Sequence, residues 1–218
     1  MNRLAFPQRL LTISLVLACV FGSPRFSAAQ TSQRNEETIV LVRHGEKPGD
    51  GLGQLTCKGL NRALALPSVL IGRFGKPDFI YAPNPSMQVN DGNNQPTYSY
   101  VRPLATIEPT AIRLGMPVNT QIGFLQIAEL QQTLLQPAYE HSLIFVAWEH
   151  LKLYEFAKQM LQSFGTTPAQ LPEWPNDDYE TIYVFQVART GIGGTPHATL
   201  EIQKEGLGNS LSDTCPGQ

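Results

Sequence analysis

The chain has 218 residues, with 16 basic against 18 acidic side chains and a formal net charge of −2. That balance excludes an electrostatic nucleic-acid surface, and the length suits one domain with a substantial core. One apolar run, Leu10–Gly22, stands apart, and it is too short to span a membrane comfortably.

That run follows Arg3 and Arg9 and precedes "SPRFSAAQ", where Ser27 and Ala29 are the small residues of an A-x-A-like cleavage site before Gln30. The expectation is a signal peptide over residues 1–29, an exported protein, periplasmic or secreted, and a single domain over residues 30–218. A signal-anchor is one alternative. A lipid at Cys19 is another, disfavoured by the Val16-Leu17-Ala18 that precedes it. Without such a lipid no membrane contact is expected. Removing residues 1–29 takes away three arginines and no acid, so the net charge moves to about −5. Cys57 and Cys215 are then the remaining cysteines. In an oxidising compartment they are expected to pair and tie the tail to the body; two unrelated thiols are the alternative.

The first element expected is a buried strand, Thr38–Val42, which runs straight into Arg43-His44-Gly45-Glu46. "LTCKGLNRALAL" has Leu60, Ala63 and Leu64 at helical spacing with Thr56 as N-cap. Pro67 should kink or end that helix, although "SVLIGRFG" can add a turn or two. Asp78–Ala82 reads as a short strand, and residues 83–100 read as loop, rich in Pro, Asn and Gly. Pro103–Gly115 is expected to be a helix, "MPVNT" a brief strand, and "FLQIAELQQTLLQ" an amphipathic helix ended by Pro137. Ser142–Trp148 is the second strong strand signal, and it too ends on charge, at Glu149-His150. A helix closed by Gly165 follows, then two strands, "TIYVFQVAR" and "HATLEIQKE", as a hairpin through "TGIGGTP". This order predicts an α/β fold: a mostly parallel central sheet with helices on both faces, a three-layer αβα arrangement.

Two apolar strands thus each deliver a histidine, His44 and His150, at ends where open α/β sheets place chemistry. Arg43 stands beside His44, and Arg102 opens a helix whose N-terminus adds partial positive charge. Two guanidinium forks and two imidazoles suit a tetrahedral dianion, and an imidazole in that setting can be a nucleophile. The expected partner is a small phosphorylated substrate, with no cofactor. A metal site through His44, Glu46, Glu149 and His150 is a rival reading, but the adjacent arginines would repel a divalent cation.

"LVRHGEKP" resembles the signature of the histidine phosphatase, or phosphoglycerate mutase-like, superfamily. "LTCKGLNRALAL" is similar to its Leu-Thr-x-x-Gly-x-x-Arg/Gln-Ala helix, "RPLATIEPTAIRLGMPV" to the segment with the second arginine, and "IFVAWEH" to the strand before the second histidine. The resemblance implies that His44 attacks phosphorus and becomes a phosphohistidine. Arg43, Arg102 and His150 would hold the phosphoryl oxygens, and water would then release phosphate. Gly45 would let the backbone turn tightly beside the nucleophile.

The chain departs from the pattern at Glu149, where smaller members usually have Gly, and after His150, where Leu151 and Lys152 leave no Asp. The general acid is therefore open between Glu149, Glu129 and an acid-free site, the last favouring good leaving groups such as phosphoramidates. A catalytically silent phosphate- or phosphoprotein-binding module on the same fold is the alternative from another class. His141, His197, Arg113 and Arg189 are read as structural or surface residues. Tyr81, Tyr98 and Tyr100 flank the polar loop and are candidates for a pocket wall.

Overall fold

The computed structural model describes residues 36–217 except 50, 91–95, 169–170, 190–194 and 209. The expected signal peptide, Cys19 and residues 190–194 of the expected last hairpin lie outside the described residues. Among the described residues no helix is long and apolar enough to cross a membrane.

In chain order the elements are β1 (Glu37–Arg43), α1 (Cys57–Phe74), β2 (Phe79–Tyr81), β3 (Gln88–Val89), β4 (Tyr98–Ser99) and α2 (Arg102–Leu114). α3 (Ile127–Leu134), a 3-10 turn at Pro137–Tyr139, β5 (Leu143–Trp148), α4 (His150–Ser163), β6 (Thr181–Ala188) and β7 (His197–Lys204) follow. Five strands form one sheet in the order β2-β5-β1-β6-β7. β2, β5 and β1 are parallel, β6 runs against β1, and β7 runs against β6. Four of the five strands therefore share a direction, as the alternation of apolar runs predicts.

Side-chain alternation along the central strands builds the layers. Ile39, Leu41, Ile144, Val146 and Phe185 turn to one face, where α3 and α4 bring Leu130, Leu134, Phe156 and Met160. Val40, Val42, Phe145, Ala147 and Ile182 turn to the other, against Leu66 and Leu70 of α1 and Ile107 and Ala111 of α2. Both faces of β1 and β5 are buried, which is why each reads as a continuous apolar run.

Three elements differ from expectation. α1 continues through Pro67 for two further turns, because Ala63, Leu66, Pro67 and Leu70 form one buried face. Burying that face offsets the lost hydrogen bond, a defect of roughly 3 kcal/mol in an isolated helix. α3 begins at Ile127 rather than Phe124: Gln126 closes a turn onto Gly123 (N–H to O, 2.9 Å), and the Phe124 carbonyl accepts from Trp148 Nε1 at 2.9 Å. "MPVNT" gives a single parallel bridge, Asn119 to Tyr81, in place of a strand. The 83–100 segment carries the short β3–β4 hairpin, whose Val89 is buried.

Cys57 opens α1 and is joined to Cys215, with Cα atoms 4.5 Å apart across a sequence separation of 158. Asn61 Nδ2 also donates to the Ser212 and Thr214 carbonyls, each at 2.8 Å, so the tail is held at two points of the same helix. Replacing both cysteines by serine is expected to lower unfolding free energy in urea by about 2–4 kcal/mol. Equal stability of the variant and the non-reduced protein would mean that no such bond forms.

Candidate active site

β1 and β5 lie side by side in parallel, with Arg43 opposite Trp148, so their C-terminal ends emerge together. The pairing continues one step further: His44 N–H donates to the Trp148 carbonyl at 2.9 Å. This register brings His44 and Glu149-His150 to one edge of the sheet. α2 adds Arg102 at its first position, where Arg102 N–H donates to the Gly53 carbonyl at 3.1 Å. Arg43, His44, Arg102, Glu149, His150 and Asn176 line a pocket of about 510 Å³. Val89, Tyr100, Phe124 and Leu151 give it apolar walls, with Lys47 and Asn90 at its margin.

The His44 ring is fixed by its own backbone. Nδ1 lies 2.7 Å from the Gly45 carbonyl, which can only accept, so Nδ1 carries the proton. Burial, the Arg102 guanidinium and then Arg43 push the imidazole down to about 3, against the opposing Gly45 hydrogen bond. A neutral ring with a proton on Nδ1 has its lone pair on Nε2. His44 is therefore held in a nucleophilic tautomer.

Gly45 has a reason other than a turn, since its backbone is not left-handed. A Cβ there would stand 2.7 Å from the Gly59 carbonyl oxygen, and one on Gly59 would stand 2.4 Å from the Glu46 carbonyl oxygen. The two glycines let the His44 loop lie against the first turn of α1. Thr106 pins the loop from the other side: its hydroxyl accepts from Gly45 N–H at 2.9 Å and donates to the Arg102 carbonyl at 2.8 Å.

Arg43 stacks on Tyr179, 3.8 Å from the ring centre, and donates to the Asp178 carbonyl at 2.9 Å. Arg102 lies 4.7 Å over Tyr100 and donates to the Gly51 carbonyl at 3.2 Å. Both guanidinium groups are thus seated by aromatic faces and backbone carbonyls. A guanidinium seated in this way keeps the fork geometry that suits phosphate oxygens.

The carboxylates are placed differently from expectation. Glu149 is the N-cap of α4; its Oε2 accepts from Lys152 N–H at 2.9 Å, and its Oε1 lies 2.6 Å from His150 Nδ1. Burial would raise it, but the His150 contact and the backbone donors outweigh that and hold it at about 2. An ionised carboxylate has no proton to give, so Glu149 does not fit the general-acid role. Glu129 does not fit it either, because it sits exposed on α3, bonded to Gln126 Nε2 at 2.6 Å, and does not line the pocket. Glu46 turns away to Arg62, which removes it from the four-ligand metal reading. Among the described residues no three His, Cys, Asp or Glu side chains converge as metal ligands.

Of the flanking tyrosines, Tyr100 lines the pocket, Tyr81 bonds to Tyr139 in the core, and Tyr98 lies in β4. Arg113 bonds to Ser68 on the surface, and Arg189 pairs with Glu37 at the start of β1. Asn176, 2.8 Å from His150 Nε2, has no counterpart in the sequence reading. It lies in an irregular segment with neither periodicity nor motif to mark it. Arg62 was within reach, because it occupies the Arg/Gln position of the α1 motif, but nothing in the pattern says what it touches. It is buried among Glu46, Glu180 and Glu205.

No protein-family model matches the chain, and no curated protein matches it. Solved structures do. One, provisionally described as the phosphohistidine phosphatase SixA from Nakamurella multipartitia, is 16% identical, with a TM-score of 0.50 over 77% of this chain and 95% of that one. Another, described as mycobacterial hydrolase 2, is 13% identical, with a TM-score of 0.50 over 78% of this chain and 91% of that one. At such identities the likeness is one of fold.

Proposed function

We propose that the protein is a phosphatase that hydrolyses phosphate esters through a phosphohistidine on His44. The observation that carries this reading is the His44 tautomer: Nδ1 is committed to the Gly45 carbonyl, and Nε2 is the lone-pair nitrogen beside two buried arginines. In the first step Nε2 attacks phosphorus while Arg43, Arg102 and His150 hold the phosphoryl oxygens, and the ester oxygen departs. In the second, water attacks the phosphohistidine and inorganic phosphate leaves. Fixed cations stabilise charge spread over the oxygens, and positioning supplies much of the remaining rate.

A second reading, a phosphoramidate phosphatase, is favoured by one observation. The sole carboxyl lining the pocket among the described residues, Glu149, is ionised, and an acid-free site suits leaving groups that need little help. Export is part of the same reading, motivated by the charge and apolar pattern of residues 1–29 and compatible with a Cys57–Cys215 bond.

The test is phosphate release from p-nitrophenyl phosphate by the protein without residues 1–29, across roughly pH 4 to 8, with acid quenching to trap the phosphoenzyme. Turnover with an acid-labile, base-stable phosphoprotein is the expected result. Saturable phosphate binding with no turnover would instead leave a binding module.

A further inference from the structure

We propose that Glu149 positions His150 as the acid–base group of the reaction: Nε2, in place of the phosphoryl-oxygen contact given to it above, gives a proton to the leaving oxygen in the first step and takes one from water in the second. The proposal rests on the phosphatase reading above and supplies a proton that Glu149, the carboxyl lining the pocket among the described residues, does not. Glu149 caps α4 through Oε2 (Lys152 N–H, 2.9 Å), and its Oε1 lies 2.6 Å from His150 Nδ1 as an ion-pair contact. Because the cap anchors the carboxylate, the ring it touches is anchored too. Lone pairs on nitrogen and carboxylate oxygen would repel at that distance, so the contact favours a proton on Nδ1 and leaves Nε2 as the exchangeable position.

Asn176 completes the device. Its side-chain amide lies 2.8 Å from His150 Nε2. Such an amide offers its oxygen to a protonated nitrogen and, turned over, its NH2 to a deprotonated one. One neighbour thus serves both states of the ring. Among the described residues the other charged or titratable groups lining the pocket are Arg43 from β1, His44 and Lys47 from the loop after β1, Tyr100 and, from α2, Arg102. The chemistry balances. In the first step the His44 Nε2–P bond forms, the P–O bond breaks, and the departing oxygen takes the Nε2 proton of His150. In the second, water oxygen bonds to phosphorus and its proton passes to His150 Nε2. The N–P bond electrons return to His44, and His150 ends as it began. The Glu that stands in place of the usual Gly thereby acquires a role.

Glu149→Gln tests this. Its amide oxygen can still cap Lys152 N–H, which turns the NH2 toward Nδ1, a donor facing a nitrogen that must then accept. The ring is forced into its Nε2–H tautomer and cannot take a proton from water. The wild type should hydrolyse phenyl and p-nitrophenyl phosphate with kcat/KM within about tenfold of each other, because protonation levels the leaving groups. E149Q should lose roughly 10²-fold or more of kcat/KM on phenyl phosphate. With p-nitrophenyl phosphate it should keep kcat/KM and the burst and accumulate phosphoenzyme, so that kcat and KM fall together. Glu149→Ala, which also loses the cap, should show the same split with a larger fall in Tm. A kcat/KM that falls equally for both esters in E149Q, or does not fall, would overturn the proposal and leave Glu149 a helix cap. A wild-type rate that climbs steeply with leaving-group acidity would overturn it too, while preserving the phosphatase reading in its phosphoramidate form. Absence of turnover and of phosphoenzyme with every ester would remove that reading itself and this proposal with it.

Discussion

His44→Ala should lower p-nitrophenyl phosphate turnover by on the order of 10⁴-fold or more and abolish the trapped phosphoenzyme, the usual consequence of deleting a covalent nucleophile. A variant that kept more than about one per cent of the rate would mean that another group attacks phosphorus. The same substitution carries a stability signature that separates a lost nucleophile from a damaged fold. His44 is held neutral down to about 3 in the folded protein, against a usual 6.5, chiefly by burial and then by Arg102. Between those values the unfolded chain binds a proton that the folded chain does not, so wild-type stability rises with pH across that window and falls on acidification. The Ala variant lacks this linkage. It should be less stable than wild type near pH 7, through the lost Gly45 hydrogen bond and the cavity, and the gap should shrink or reverse near about pH 4.5. Thermal melts at the two pH values measure it, and a gap that widens on acidification would contradict the assigned His44 environment.

The parts of the site that could be read ahead of the structure are those that a strand end dictates. β1 and β5 are buried on both faces, so each had to be a continuous apolar run, and an Arg-His or Glu-His directly after such a run had nowhere to go but the sheet edge. Arg102 was legible for a related reason, because Pro103 and the apolar spacing after it mark a helix start. The acid was not legible, since its role depends on direction rather than position. Glu149 adjoins His150 in sequence, yet what fixes its charge is that it caps α4, a site where ionised carboxylates are favoured. Glu129 sat at a plausible sequence distance, but it occupies an exposed position on α3. Pro67 and the start of α3 misled for one shared reason. Local propensity was overridden by contacts far along the chain, the buried face of α1 in one case and the Trp148 bond to the Phe124 carbonyl in the other.

Arg62 explains how so charged a loop stays in place behind His44. Its guanidinium meets Glu46 through two bonds, of 2.8 and 3.0 Å, and also binds Glu180 and Glu205. Glu46 in turn accepts Thr56 N–H on its carbonyl at 2.9 Å, which fastens the segment after His44 to the start of α1. Glu205 is fully buried, and burial raises it to about 7, the opposing charge of Arg62 notwithstanding. The folded state therefore holds a proton at Glu205 below about pH 7, whereas the unfolded chain does so only near 4.5. Stability from this group is complete below the lower value and declines as pH rises through the interval. Arg62→Ala should cost about 3–5 kcal/mol, because it leaves three clustered carboxylates without their cation. The loss should be larger at about pH 8 than at about pH 5, where Glu205 is protonated in either protein. Arg62→Lys should recover only part of it, since an ammonium cannot fork to Glu46 and reach two further carboxylates in one geometry. Urea unfolding at the two pH values gives the answer. A penalty that did not depend on pH would mean that Glu205 is already ionised beside Arg62, and that the His44 loop rests on a fully charged cluster.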